Sequence, residues 1–271
     1  MPPLLDNKDP SAASVFVASA LLREARRQKR IGAADVPSVC ILDPDGDIVR
    51  RLKAEGRAER AGEWPCYHTD LYRFTLAGKP AGIIGCAVGA PFAVLVAEEL
   101  FACGCEFLIS LTSAGQIAPE GKPPYFVVID RALRDEGTSY HYAAPSDYSE
   151  ADPHLVGRAV AALRPADVAI LAGASWTTDA PFRETEAAIA AARARGILAV
   201  EMEAAALYAF ARAADRKVLC LAHVTNTMAV AEQDFEKGEA DGTVDALRVL
   251  ELLVPLLDDG GARPVATAAP I

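Results

Sequence analysis

The sequence predicts an α/β protein: three layers, α/β/α, around a central mixed, largely parallel sheet. Three observations predict it. From residue 38 onward, short apolar runs alternate with stretches of helical periodicity. The runs are continuously apolar, as in "SVCILD" and "DVAILAGAS", which is how strands read when both faces are covered. Four of them end in polar or glycine-rich turns, "DPDGD", "TSAG", "ASWTTD" and "EME", and such sheets bind ligands beyond the carboxyl ends of their strands.

Each element follows from its local pattern. Residues 11–30, "SAASVFVASALLREARRQKR", place apolar residues at helical spacing before a basic end, with Ser11 as the expected cap. "SVCILD" (38–43) is a strand, "DPDGD" an acidic turn and "IVRRLKAEGR" a helix. "YRFTLAGKPAGIIGCA" is expected to form a hairpin turning at Ala77-Gly78-Lys79-Pro80. An apolar helix, "PFAVLVAEELFACG", leads to the strands "EFLISLTSAG" and "YFVVIDRAL". After a helix at 155–163 come the strand "DVAILAGAS" and the helix "TEAAIAAARARG", which Gly196 ends. "ILAVEME" is a strand, "AAALYAFARAAD" a helix, "KVLCLAHVTN" the last strand and "TVDALRVLELLVPLLD" the closing helix. No repeat or linker interrupts the series, so residues 1–271 read as one domain. Residues 1–37 form its N-terminal helical extension, and 260–271 are expected to be a mobile tail.

Composition narrows the function. The 271 residues are 52% hydrophobic and 24% charged, as in a globular domain. A formal charge of −10 argues against a nucleic acid polymer as partner, whereas a small anion needs only local donors. The longest apolar stretch is cut by glycines and a proline, so no membrane span is expected. The N-terminus lacks the layout of a signal peptide, which gives a cytoplasmic expectation. The six cysteines include no CxxC pair and read as reduced packing residues, with no metal site.

"AVEMEAAALY" (199–208) places two glutamates and a methionine between a buried strand and an alanine-rich helix. A carboxylate at a strand end can accept both hydroxyl protons of a vicinal diol, and a methionine offers a soft face to a sugar or base. Alternatively, Glu201 is solvated and Glu203 is an acid in the first turn of a helix.

"LAVEMEAAALYAFA" resembles the signature of the nucleoside phosphorylase and uridine phosphorylase superfamily. So do "GKPAGIIGCAVGAPFAVLVAEELFACGCEFLISLTSAGQI", "LRDEGTSYHYAAP" and "ASWTTDAPF", in the family's order and spacing, over roughly residues 38 to 256. The resemblance implies cleavage of a nucleoside's N-ribosidic bond, with Glu203 gripping the ribose hydroxyls, Met202 beneath sugar and base, and Glu201 beside them. It implies a substrate-binding loop of Ser113, Ala114 and Gly115, a base side with Phe182 as stacking wall and Arg183 near it, and a catalytic role for the residue after the last strand. That residue is Asn226, where purine-cleaving members carry an aspartate; an amide is a poor general acid, which leans toward a uridine-like substrate.

The nucleophile side departs from the family. Its phosphate-binding arginines are replaced by Ile48 and Ser110, and Asp45 and Asp47 stand in the first turn. Either Arg50, Arg51 or Arg73 approaches from a shifted position, or Asp47, with Asp45 as the alternative, activates water as in the family's hydrolytic nucleosidases. "DPDGD" also reads simply as a tight acidic turn capping a helix. The expected reaction is phosphorolysis to free base and ribose-1-phosphate, with phosphate as co-substrate and no cofactor. A phosphate-independent hydrolase and a catalytically inactive nucleoside-binding protein are the alternatives. By the same resemblance the protein is expected to be a homo-oligomer with sites near subunit interfaces. His141 reads as structural and His223 as a satisfied core histidine.

Overall fold

The structure is a computed structural model that describes residues 3–167, 169–227 and 237–257. Helix α1 (Ala18–Lys29) precedes strand β1 (Val39–Asp43) and helix α2 (Asp47–Ala54). Strands β2 (Glu59–Arg60), β3 (Tyr72–Leu76) and β4 (Lys79–Gly85) lead to helix α3 (Ala90–Ala102). Strands β5 (Phe107–Gln116), β6 (Tyr125–Asp135) and β7 (Tyr148–Glu150) are followed by helix α4 (Pro153–Leu163) and strand β8 (Ile170–Thr178). Helix α5 (Glu186–Ala194), strand β9 (Ala199–Glu201), helix α6 (Ala204–Ala213), strand β10 (Lys217–Thr227) and helix α7 (Thr243–Leu253) complete the order.

The strands form one sheet, and its pairing corrects the expectation of a largely parallel one. The pairings β1–β4, β1–β5, β5–β10, β6–β8 and β8–β9 are parallel. Those of β2–β3, β3–β4, β5–β9, β6–β7 and β6–β10 are antiparallel. The sheet is also closed: β10 lies between β5 and β6, while β9 and β8 join the same two strands the other way round. Continuous apolar runs report burial on both faces, and a closed sheet supplies that burial whichever way its strands point.

Closure leaves a gap that matters for function. β10 follows one edge of β5 along its length. On the other edge, β1 pairs only as far as Ser110, and β9 takes over only at Gly115. Between these points residues 111–114 have no strand beside them on that edge among the described residues. This is a switch point, where one neighbouring strand leaves and another arrives and loops open onto the sheet.

The core lies on the faces of this sheet. Ile41, Ile83, Ile109, Phe126 and Leu219 pack with Leu52 of α2, Leu163 of α4 and Leu250 of α7. Cys40, Leu108, Val127 and Cys220 pack with Ala97 of α3 and Ala206 of α6. Five of the six alanines of α6, all but Ala213, are buried, and their small side chains let the helix lie close to both α3 and the sheet.

Other expectations shift in detail. α1 begins at Ala18, because Ser11 bonds Asp9 (Oγ to Oδ1, 2.6 Å) and caps no helix, while Val17 stands at the cap position. The hairpin turns on two residues, Ala77 and Gly78, both with positive φ (49° and 77°), so Lys79 and Pro80 already belong to β4. Cys86 is exposed, unlike the other five cysteines, and has a φ of 63°. The expected tail, 260–271, lies outside the described residues. Among the described residues, no helix is long and apolar enough to cross a membrane.

Candidate active site

The gap on β5 is where the site assembles. β9 ends at Glu201 and α6 begins at Ala204, so residues 201–203 turn beside the open edge. Glu201 is 4% exposed, and both its oxygens are occupied by the protein. Oε1 accepts from Ser175 Oγ (2.9 Å) and Thr177 Oγ1 (2.5 Å); Oε2 accepts from the amides of Glu203 and Ala204 (2.7 Å each). Glu201 therefore ties the start of α6 to β8, satisfying amides that a helix leaves without partners. That differs from its expected part in binding a ligand: a carboxylate with four protein donors has no acceptor to spare. Burial raises its pKa, against the pull of these bonds.

Glu203 is arranged differently. It is 1% exposed, and its Oε1 accepts from the Gly89 amide at 2.7 Å, just ahead of α3. Its Oε2 is buried with no hydrogen-bond partner among the described residues. Burial, reinforced by the charge of Glu201, pushes its pKa up to about 8. Buried polar atoms are nearly always paired, so an unpaired carboxylate oxygen at a strand end marks a place where a donor is missing. Met202 is half-buried between the two glutamates.

The neighbouring strands bring further expected residues together. Gly115 of β5 lies opposite Val200 of β9 on one side and opposite Asn226 of β10 on the other. β10 bulges between Val224 and Asn226, which re-aims the Asn226 side chain at the end of the strand; Thr225 Oγ1 approaches its Oδ1 at 3.4 Å. Ala114 is buried in β5, and Ser113 is half-buried on the open edge.

The first turn closes over this edge. Asp45 accepts from both donors of Ser113, Oδ2 from the amide (3.1 Å) and Oδ1 from the hydroxyl (2.9 Å). Lys237 Nζ lies 2.6 Å from Asp47 Oδ2 and 3.4 Å from Asp45 Oδ2. Arg50 pairs with Asp47 Oδ1 and donates to the Asp45 carbonyl at 3.1 Å. Both Asp47 oxygens are thus engaged by cations, an ion-pair role that leaves it poorly placed to take a proton from water. Beneath the turn, Asp43 accepts from the Val49 amide (3.0 Å), and burial, with Asp45 and Asp47 adding to it, pushes its pKa up to about 7.

Of the arginines considered as replacements, only Arg50 reaches the turn. Arg51 bonds Glu55 (2.7 Å) and Thr243 (3.0 Å), and Arg73 is held by Glu63 and the Asp35 carbonyl. Ile48 and Ser110 are buried as expected of core positions, and the Ser110 hydroxyl has no partner among the described residues.

Phe182 and Arg183 are not gathered with the others. They lie in a short 3-10 turn after β8, and Phe182 is 98% exposed, so among the described residues it walls no pocket. His223 stacks on Phe126 (ring centroids 4.3 Å apart, 6° between planes), but its buried Nε2 has no partner among the described residues, so it is stacked without being satisfied. Burial, aided by the Lys237 charge, pulls its pKa down to about 4. Sequence reasoning missed Gly89, Ser175, Thr177 and Lys237. Gly89 sits two residues before Pro91, a helix-start signal that could have drawn attention to it; Lys237 carries no local signal.

The chain is similar to known proteins over most of its length. The profile of the phosphorylase superfamily matches residues 38–257. A guanosine phosphorylase of Halorubrum lacusprofundi is 28% identical over 135 residues, 50% of this chain and 56% of that protein, so the match spans little more than half the relative's length. A DeoD-type purine nucleoside phosphorylase of Myxococcus xanthus is 28% identical over 192 residues, 70% of this chain and 78% of its own. The crystal structure of uridine phosphorylase from Vibrio fischeri superposes with a TM-score of 0.69 at 22% identity, covering 83% of this chain and 95% of that one. The chain belongs to the phosphorylase superfamily.

Proposed function

We propose that this protein cleaves the N-ribosidic bond of a uridine-like nucleoside by phosphorolysis. The observation that carries the reading is Glu203: one oxygen fixed by the Gly89 amide, the other buried beside Met202 and unpaired among the described residues. A ribose 2′,3′-diol supplies the missing hydroxyl donors, and the carboxylate stabilises positive charge as it develops on the sugar. A phosphate oxygen forms a bond to C1′ as the C1′–N bond breaks. The electron pair leaves with the base, which Asn226 steadies by hydrogen bonding, and the products are free base and ribose-1-phosphate.

The uracil-type preference rests on Asn226, since an amide is a weak acid for protonating a purine leaving group. Relatives of both kinds accompany this chain, so substrate choice is decided by assay. A panel of nucleosides, with and without phosphate, is expected to give uracil and ribose-1-phosphate from uridine only when phosphate is present. Rapid adenosine cleavage would reject the pyrimidine preference. A second reading, hydrolysis, is favoured by one observation: the Ser113 donors are already taken by Asp45. Free ribose formed without phosphate would establish that reading instead.

A further inference from the structure

Ser113 presents an amide and a hydroxyl in one direction, a pair of donors shaped for two oxygens of one oxyanion. Asp45 fills it, with N–H···Oδ2 and O–H···Oδ1 distances of 3.1 and 2.9 Å. The arrangement lies on the unpaired edge of β5, beside the turn that carries Glu203. Two cations converge on the same place. Lys237 approaches Asp45 and Asp47, and Arg50 pairs with Asp47 and bonds the Asp45 carbonyl. The charges of Asp45 and Asp47 are thus matched by those of Lys237 and Arg50, above the buried Asp43 carboxyl.

Two further features set this place apart from a simple capping turn. The Nε2 of His223, a side chain only 5% exposed, is unpaired among the described residues. That imidazole lines a small cavity with Asp45, Asp47 and Lys237. The Asp45 and Lys237 side chains keep 29% and 25% of their surface in solvent, so the carboxylate can swing out without breaking the core.

We propose that Asp45 is an exchangeable occupant of an anion cradle: inorganic phosphate binds by displacing its carboxylate from Ser113, and Lys237 with Arg50 supplies the positive charge. The proposal rests on the phosphorolysis reading and explains how a chain with Ile48 and Ser110 in place of arginines holds a dianion. A dianion makes stronger charge-assisted bonds to the ammonium and guanidinium groups than the carboxylate it replaces. No bond is made or broken in the exchange. Asp45 becomes a specificity-determining residue, since its own charge sets how much phosphate the site demands.

The test is calorimetric titration of the protein with inorganic phosphate alone, at constant ionic strength. Asp45→Ala frees both Ser113 donors and is expected to bind phosphate about tenfold more tightly than the parent, the worth of one charge-assisted bond. Lys237→Met is expected to bind it about tenfold more weakly. A merely structural Asp45 would give unchanged or weaker binding in Asp45→Ala, and that result overturns the proposal, as does absence of phosphate binding in parent and variants alike. Should Asp45→Ala fail to fold, Asp45→Asn keeps an acceptor for the hydroxyl, loses the charge, and must still bind more tightly than the parent. The nucleoside assay fails separately: free ribose made without phosphate would sink phosphorolysis, while the titration would still read the exchange.

Discussion

Glu203 and Glu201 are chemically identical, two residues apart and both buried, yet their surroundings give them different work. Glu201 accepts from two hydroxyls and two amides; Glu203 accepts from the Gly89 amide and keeps one oxygen without a partner among the described residues. The cost of burying Glu203 appears as its pKa of about 8, against 4.5 for an ordinary glutamate. Below about pH 4.5 the group is protonated whether folded or unfolded and contributes no difference. As pH rises, the unfolded chain ionises first while the folded one holds its proton, so stability falls until about pH 8, by a few kcal/mol in order of magnitude. Glu203→Gln removes that loss and preserves the acceptor for Gly89. Its melting temperature relative to the parent should therefore be higher at pH 8 than at pH 5, although nucleoside cleavage drops by roughly 100-fold or more. If the ionised form stabilises the ribosyl cation, kcat/KM of the parent should climb toward pH 8. An equal pH response of melting in parent and variant would refute the burial argument.

At the scale of elements, positions with positive φ decide where the first turn and α7 meet. Gly242, with φ at 74°, caps α7, and a Cβ there would lie 2.3 Å from both His223 Cε1 and the Lys237 carbonyl. Neither neighbour is a flexible chain end: one is a stacked ring, the other backbone. Gly242→Ala is expected to cost about 1–3 kcal/mol in chemical denaturation, from strain and overpacking together. It should also weaken phosphate binding, because the push falls on the backbone of Lys237. Wild-type stability with unchanged phosphate affinity would show that the contact is slack. Most elements were legible beforehand, because continuous apolar runs and helical spacing are local matters; the caps at Thr185 and Asp152 emerge only in the structure. β2 and β7 escaped notice, since two or three residues carry no period to read.

At the scale of the molecule, the first residues of α3 lie beside the site through Gly89, and an apolar surface flanks them. Tyr67, Val88 and Leu95 are 41%, 50% and 38% exposed, and the His68 ring sits 6.5 Å from Phe92. A homo-oligomer would cover this surface and set a second copy near the cleft. Sedimentation at micromolar concentration is expected to show an oligomer that Leu95→Asp dissociates; a parent that sediments as a monomer would reject it.

The sequence by itself determined the class of fold, the order of its elements and the segment 201–203 that holds the unpaired carboxylate. Those follow from periodicity and from a motif read within a dozen residues. Only the tertiary structure decided that the sheet closes, because strand direction and pairing depend on partners far along the chain: β10 must find both β5 and β6. Closure in turn decided which glutamate keeps an unpaired oxygen among the described residues, since Ser175 and Thr177 reach Glu201 from the adjacent strand β8. It also decided that Lys237 answers the acids of a turn 190 residues away. A charge pair over such a separation leaves no trace in local sequence, because only the folded path of the backbone brings its members within reach of each other.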